Sequence, residues 1–152
     1  MGDKKNTNRH TLIEIKQTFE GKKVENSKSS AGNWLGFTLE QIEHGKAILS
    51  LTVIKEMTNP YGNIHGGMMS MVIDETIGWA VYSLESEQHY TTLSLNVDFL
   101  YAIKEGEKLK AIANVLRTGK KIINVECFVY NNADKLLARG NSNLVATNMK
   151  FI

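Results

Sequence analysis

The chain has one cysteine, one proline and no long apolar run free of charge. A lone Cys127 excludes an internal disulfide and a cysteine-based metal cluster. It lies in phase with Ile123, Val125 and Val129, so an inert buried thiol is expected rather than a nucleophile. The longest apolar-rich stretch, Gly66 to Leu84, is broken by Ser70, Asp74, Glu75 and Thr76. Two adjacent carboxylates argue against a membrane span. No apolar segment follows the first methionine, so no secretory signal is expected and the reading is cytoplasmic. Net charge is also scarce. A formal +2 is too small for a nucleic-acid platform, and residues 1–30 alone carry seven Lys/Arg against four acids. That leader has no aromatic interleaving and reads as solvated.

What is present is enough for one domain. With 152 residues, 42% hydrophobic and 22% charged, the chain can bury a core without metals or disulfides. Residues 7–20 set Leu12, Ile15 and Phe19 at helical spacing, with Thr11 as the cap of a short amphipathic helix. Residues 21–33 are rich in Lys, Ser, Asn and Gly and read as a flexible connection. The expected organisation is a leader, 1–30, and one domain, 31–152. From Trp34 the apolar period becomes two: one strand to Glu43, then Lys46 to Ile54 after a turn at His44-Gly45. A loop with the only proline, Thr58 to Asn63, precedes the stretch from Gly66 to about Leu84. That stretch is too long for a strand and apolar nearly all round, so it predicts a buried helix. Four more strands follow. Tyr90 to Tyr101 sets Leu93, Leu95, Val97, Phe99 and Tyr101 on one face, and Lys108 to Thr118 repeats the alternation. Gly119-Lys120 turns into Lys121 to Asn131, and Asn131 to Asp134 turns into Lys135 to Thr147. Short turns make these four antiparallel. The fold class is α+β: a curved antiparallel sheet of about six strands wrapped around one long buried helix, with a short N-terminal helix.

The helix carries the chemistry. Asp74 has Ser70, Met71, Ile77, Gly78 and Val81 as its neighbours on the helical stripe. A carboxylate there is either desolvated or opens onto a site that uses it as a general base or nucleophile. The alternative is a structural carboxylate paired with a lysine or a backbone group. Gly66 and Gly67 let a ligand approach backbone N–H groups at a helix start, where one such donor can hold an oxyanion. His65 adjoins that turn, as a structural hydrogen-bonding residue or a site group. Asn59 precedes Pro60, as a turn residue or a second polar contact.

Taken together, Asn59-x5-His65-Gly66-Gly67-x6-Asp74-Glu75-x2-Gly78 resembles the signature of the hotdog-fold, PaaI-like (phenylacetic-acid-degradation) acyl-CoA thioesterases. The resemblance covers roughly residues 34–147. It continues through Thr91 to Leu100, similar to that family's first strand after the helix, and Arg117-Thr118-Gly119-Lys120, similar to its hairpin. It implies that acyl-CoA is hydrolysed to free acid and CoA. Asp74 would be base or nucleophile, the Gly66 N–H would polarise the carbonyl, Asn59 and His65 would orient the carbonyl or water, and Thr92 would position water. It also implies a homodimer with a shared site, two dimers forming a tetramer, and no cofactor or metal beyond the CoA of the substrate. Gly67, Arg117, Lys120 and Lys121 are substrate-binding candidates, the basic three for the CoA phosphates, although a charged hairpin tip is commonly only solvated. Tyr101-Ala102 stands where many members have Arg-Pro, which removes one arginine contact. A non-catalytic acyl-CoA sensor and a dehydratase or hydratase of the same fold are the alternatives.

Overall fold

The computed structural model describes residues 10–152, so residues 7–9 of the expected first helix lie outside the described residues. The helix itself, α1, spans Leu12–Phe19. Thr11 caps it: its Oγ1 accepts from the Glu14 N–H, and the Glu14 carboxylate accepts from the Thr11 N–H at 2.7 Å. This reciprocal pair satisfies two backbone donors that a helix start otherwise leaves open. Ile15 is fully buried in the same core as the sheet, as is Val24.

Between α1 and the main sheet the chain is more ordered than its composition suggests. Lys22–Lys23 form a short strand, β1, and Ser30–Leu35 form a helix, α2. The strand expected from Trp34 therefore begins only at Thr38. The reason is local. Ser29 caps α2 by accepting from the Gly32 N–H at 2.9 Å, and Gly36 ends it in the left-handed region at φ +64°. Apolar residues at 34, 35, 37 and 39 hid those two signals.

The remaining elements are β2 (Thr38–Glu43), β3 (Lys46–Thr52), α3 (Gly66–Tyr82), β4 (His89–Phe99), β5 (Lys108–Thr118), β6 (Ile122–Asn131) and β7 (Leu136–Thr147). They form one seven-stranded sheet in the order β1-β2-β3-β5-β6-β7-β4, with all neighbours antiparallel. The turns at His44-Gly45, Gly119-Lys120 and Asn131–Asp134 close hairpins as expected. The β4–β5 connection does not. β4 pairs with β7, and residues 100–107 carry the chain back to β5 beside β3. Ile103 is buried in this crossing, and its carbonyl accepts from Ile64 N–H at 2.8 Å, tying it to the loop before α3.

The inward positions of the central strands are those that the alternation predicts: Leu49 and Leu51, Leu109, Ala111 and Ala113, and Ile123, Val125 and Val129. Cys127 joins them, and burial pushes its thiol up to about 12, which keeps it un-ionised and unreactive. α3 lies across this face, with Val72, Ile73, Ile77 and Ala80 almost wholly buried. β4 differs. It is an edge strand; a bulge between Thr92 and Ser94 takes Leu93 (62% exposed) out of phase with Leu95 and Val97, against the single face expected, and Phe99 (57%) also stays exposed. Among the described residues no helix is long and apolar enough to cross a membrane.

Helix and sheet pack tightly at Gly140 on β7. A Cβ there would lie 2.9 Å from Cγ2 of Ile73 and 3.3 Å from the Asn96 carbonyl oxygen. Gly140→Ala is expected to push α3 off the sheet and cost about 1–3 kcal/mol. Equilibrium urea unfolding reads this, and an unchanged or raised midpoint would refute the packing argument.

Candidate active site

The loop before α3 is built by its own side chains. Asn59 Oδ1 accepts from the backbone N–H groups of Tyr61 (3.0 Å) and Asn63 (3.2 Å), and Asn59 N–H donates to the Asn63 carbonyl. The amide oxygen is thus spent on the turn. Its Nδ2 has no partner among the described residues. His65 is the N-cap of α3, with Nδ1 accepting from the Gly67 N–H at 2.9 Å. With Nδ1 acting as acceptor, the neutral ring carries its hydrogen on Nε2. His65 is exposed.

This cap divides the two glycines. The Gly67 N–H is engaged by His65, whereas the Gly66 N–H has no acceptor among the described residues and stands as the open donor of the helix start. Beside it is a cavity of about 280 Å³, lined by Asn59, Gly66, Met69, Phe99 and Tyr101 among others. The Phe99 ring closes on Gly66, with Cζ 3.4 Å from where a Cβ would be. The Lys135 ammonium sits 3.5 Å above the Tyr101 ring. Tyr101 therefore brings a cation to this edge although the chain has no arginine there, a pairing hidden because Lys135 lies 34 residues downstream.

Asp74 lies two turns further along α3. Its Oδ1 accepts from Thr92 Oγ1 of β4 at 2.8 Å, so these two expected site residues do come together. Asp74 is half-buried, and burial pushes the Glu75 carboxyl up from its ordinary 4.5. Hydrogen bonds from Ser29 Oγ (3.0 Å) and Trp79 Nε1 (3.2 Å) oppose that rise, and the Asp74 charge adds to it. Gly32 completes the arrangement, because a Cβ there would lie 2.2 Å from Glu75 Oε1. Neither Ser29 nor Gly32 carries a motif, and only the folded chain brings them to Glu75.

Asp74 and Gly66 are not brought together within the chain. Eight residues of helix separate them by about 12 Å along the axis. Arg117, Lys120 and Lys121 are exposed at the β5–β6 hairpin. Thr118, Ile123, Leu144 and Thr92 share one row of the sheet, which places this basic tip about 14 Å across the strands from Thr92.

Residues 61–138 match the model of the thioesterase superfamily. Human acyl-coenzyme A thioesterase 13 is 30% identical over 104 residues, 68% of this chain and 74% of its own length. The PaaI protein of the E. coli phenylacetic acid degradation operon superposes with a TM-score of 0.74 at 22% identity, covering 79% of this chain and 86% of that one. A thioesterase protein of Streptococcus pneumoniae with coenzyme A superposes at 0.70 and 21% identity, covering 75% and 88%. Both superpositions identify the hotdog fold.

The Glu75 shift has a direct consequence for stability. As pH rises past 4.5, the unfolded chain releases the Glu75 proton before the folded one does, which favours unfolding. Wild-type stability should therefore fall relative to Glu75→Gln from about pH 4.5 up to the raised folded value, then level off. Paired denaturation curves across that range test this, and a wild type that gains stability relative to the variant as pH rises would show the opposite linkage.

Proposed function

Because the chain belongs to the thioesterase superfamily, we propose that it hydrolyses acyl-CoA thioesters to the free acid and CoA. The observation that carries this reading is the pair of half-sites on one helix. An open Gly66 N–H stands at its start, and an Asp74 carboxylate oriented by Thr92 stands two turns on. The human relative is named for acyl-CoA hydrolysis, and the Streptococcus structure holds coenzyme A.

The chemistry needs only water. With Thr92 donating to Oδ1, Asp74 keeps Oδ2 for a water proton. The water oxygen attacks the thioester carbon, and the negative charge moves to the carbonyl oxygen, where the Gly66 N–H stabilises it. Collapse breaks the C–S bond, and the leaving thiolate takes the proton held by Asp74, releasing CoA and restoring the carboxylate. In the variant route the carboxylate attacks the carbon directly, and water cleaves the resulting anhydride. Nδ2 of Asn59 and Nε2–H of His65 are the further donors of the loop, placed to orient the carbonyl or water.

A single thioester carbon must lie within about 3–3.5 Å of the attacking atom, with its oxygen about 3 Å from the donor. The roughly 12 Å between Gly66 and Asp74 in one chain is too long for that. The reading therefore pairs Gly66 of one copy with Asp74 of a second, in a homodimer joined along the exposed β4 edge. An edge strand with exposed Leu93 and Phe99 favours such pairing. Two dimers would complete a tetramer. Arg117, Lys120 and Lys121 offer charge to the CoA phosphates. A dehydratase reading would pair His65 with an acid across the site, but His65 Nδ1 is committed to the helix cap.

Thiol release from a panel of acyl-CoA esters tests this. Asp74→Ala should lower kcat at least about a hundredfold while the oligomer elutes unchanged. No turnover with any acyl group sinks the enzyme reading, and a fully active monomer sinks the shared site.

A further inference from the structure

A second and larger cavity, about 390 Å³, lies against α3, which contributes Glu75, Gly78 and Trp79 to its lining. Residues 26–29 form part of its wall. That wall belongs to a closed loop, residues 25–36. The base of the loop is tied where Val24 N–H donates to the Phe37 carbonyl at 2.9 Å, both residues fully buried. Inside it, Asn33 accepts from Ser27 N–H and Oγ and donates to the Ser27 carbonyl. Leu35, beside the end of the loop at Gly36, is its only buried side chain. A loop with joined ends that bonds mainly to itself can open as one unit.

Among the described residues a single hydrogen bond joins this loop to α3: Ser29 Oγ donates to Glu75 Oε2 at 3.0 Å. Trp79 Nε1 donates to the other carboxylate oxygen at 3.2 Å. Gly32 packs directly on Glu75, leaving no room for a Cβ. No cation pairs with Glu75 among the described residues. The ionisable groups around it are Asp74 and Tyr82 on its own helix, Lys28 on the loop, His10 before α1, Glu85 after α3, and His89 and Tyr90 of β4. Of these, Asp74 is the one whose charge acts on Glu75, and it opposes ionisation.

We propose that residues 25–36 are a lid on this cavity, latched to α3 through Glu75, and that ionisation of Glu75 loosens the latch. Under the closed lid the carboxylate is buried without a counter-charge; with the lid raised it meets water. Losing its proton therefore costs more in the closed form, and burial pushes the carboxyl up from 4.5 despite both hydrogen bonds. The closed form binds the proton more tightly, so neutral Glu75 favours closure and the anion favours opening. The neutral form also keeps its partners. Trp79 Nε1 can only donate, so the proton belongs on Oε2, where the Ser29 hydroxyl can rotate to accept it. A raised lid admits water to the flank of α3 one residue from Asp74.

Hydrogen exchange on the full chain, with no thioester present, tests this. The reporters are the Asn33 and Gly36 amides, which bond within the lid to the Ser29 and Gly32 carbonyls. After correction for intrinsic rates, their protection should lie well below that of the central β6 amides. It should fall at least about threefold as pH rises from 4.5 through the raised Glu75 value, and stay level in Glu75→Gln. Gly32→Ala adds an arm that depends on contact rather than charge. Its methyl group should force the lid off Glu75 and speed lid exchange at least about tenfold. The same change added to Glu75→Ala, which leaves room for the methyl, should have little effect. Lid amides that open only together with β6, or an equal pH response in Glu75→Gln, overturn the proposal. So does a Gly32→Ala effect of equal size in both backgrounds.

Discussion

A helix that is apolar on nearly every side cannot be covered by one sheet, and most of this fold answers that constraint. The concave face of β3, β5, β6 and β7 takes Val72, Ile73, Ile77 and Ala80. Trp79 points another way and needs separate cover, which Phe19 of α1 and Phe37 supply edge-to-face. The segment before the main sheet is thus part of the core: α1, through Phe19, and α2 with its cap, through Gly32 and Ser29, cover a side of α3. What remains uncovered is the stripe through Asp74 and Gly78, flanked by the unpaired edge of β4. The polar chemistry sits where apolar cover runs out.

The cap at the start of α3 sets which atoms are available there. A helix start leaves several N–H groups without partners, and side chains commonly take one of them. His65 takes the Gly67 N–H through Nδ1, while the Gly66 N–H has no acceptor among the described residues. A serine or aspartate could have capped as well, but neither would have left an outward N–H on the same residue. The two adjacent glycines thereby differ, one N–H engaged by the cap and the other open.

Much of this was legible because it is local. The period-two segments, the tight turns and the long apolar helix follow from spacing within ten or twenty residues, as does the Thr11 cap. The pairing of Asp74 with Thr92 was expected only through the family resemblance, and the hydrogen bond agrees with it. Other features were invisible for physical reasons. Strand alternation specifies faces but not neighbours, so nothing local tells β4 to pair with β7 rather than β5. The six-residue α2 is shorter than a helical period can announce over competing apolar residues. The environment of Glu75 depends on Ser29, 46 positions away, so nothing near Glu75 in sequence announces it.

The close approach of Glu75 to Gly32 also bears on how this sequence can change over generations. Glu75 occupies the space that any other side chain at 32 would claim, so the two positions cannot drift independently. A lineage that first enlarges residue 32 meets a steric barrier. One that first shortens residue 75 opens the route, yet gives up the hold on Trp79 and on the wall at Ser29. The order of substitution is therefore asymmetric, and descendants with a larger residue at 32 should also carry a smaller one at 75 and a differently shaped cavity beside it.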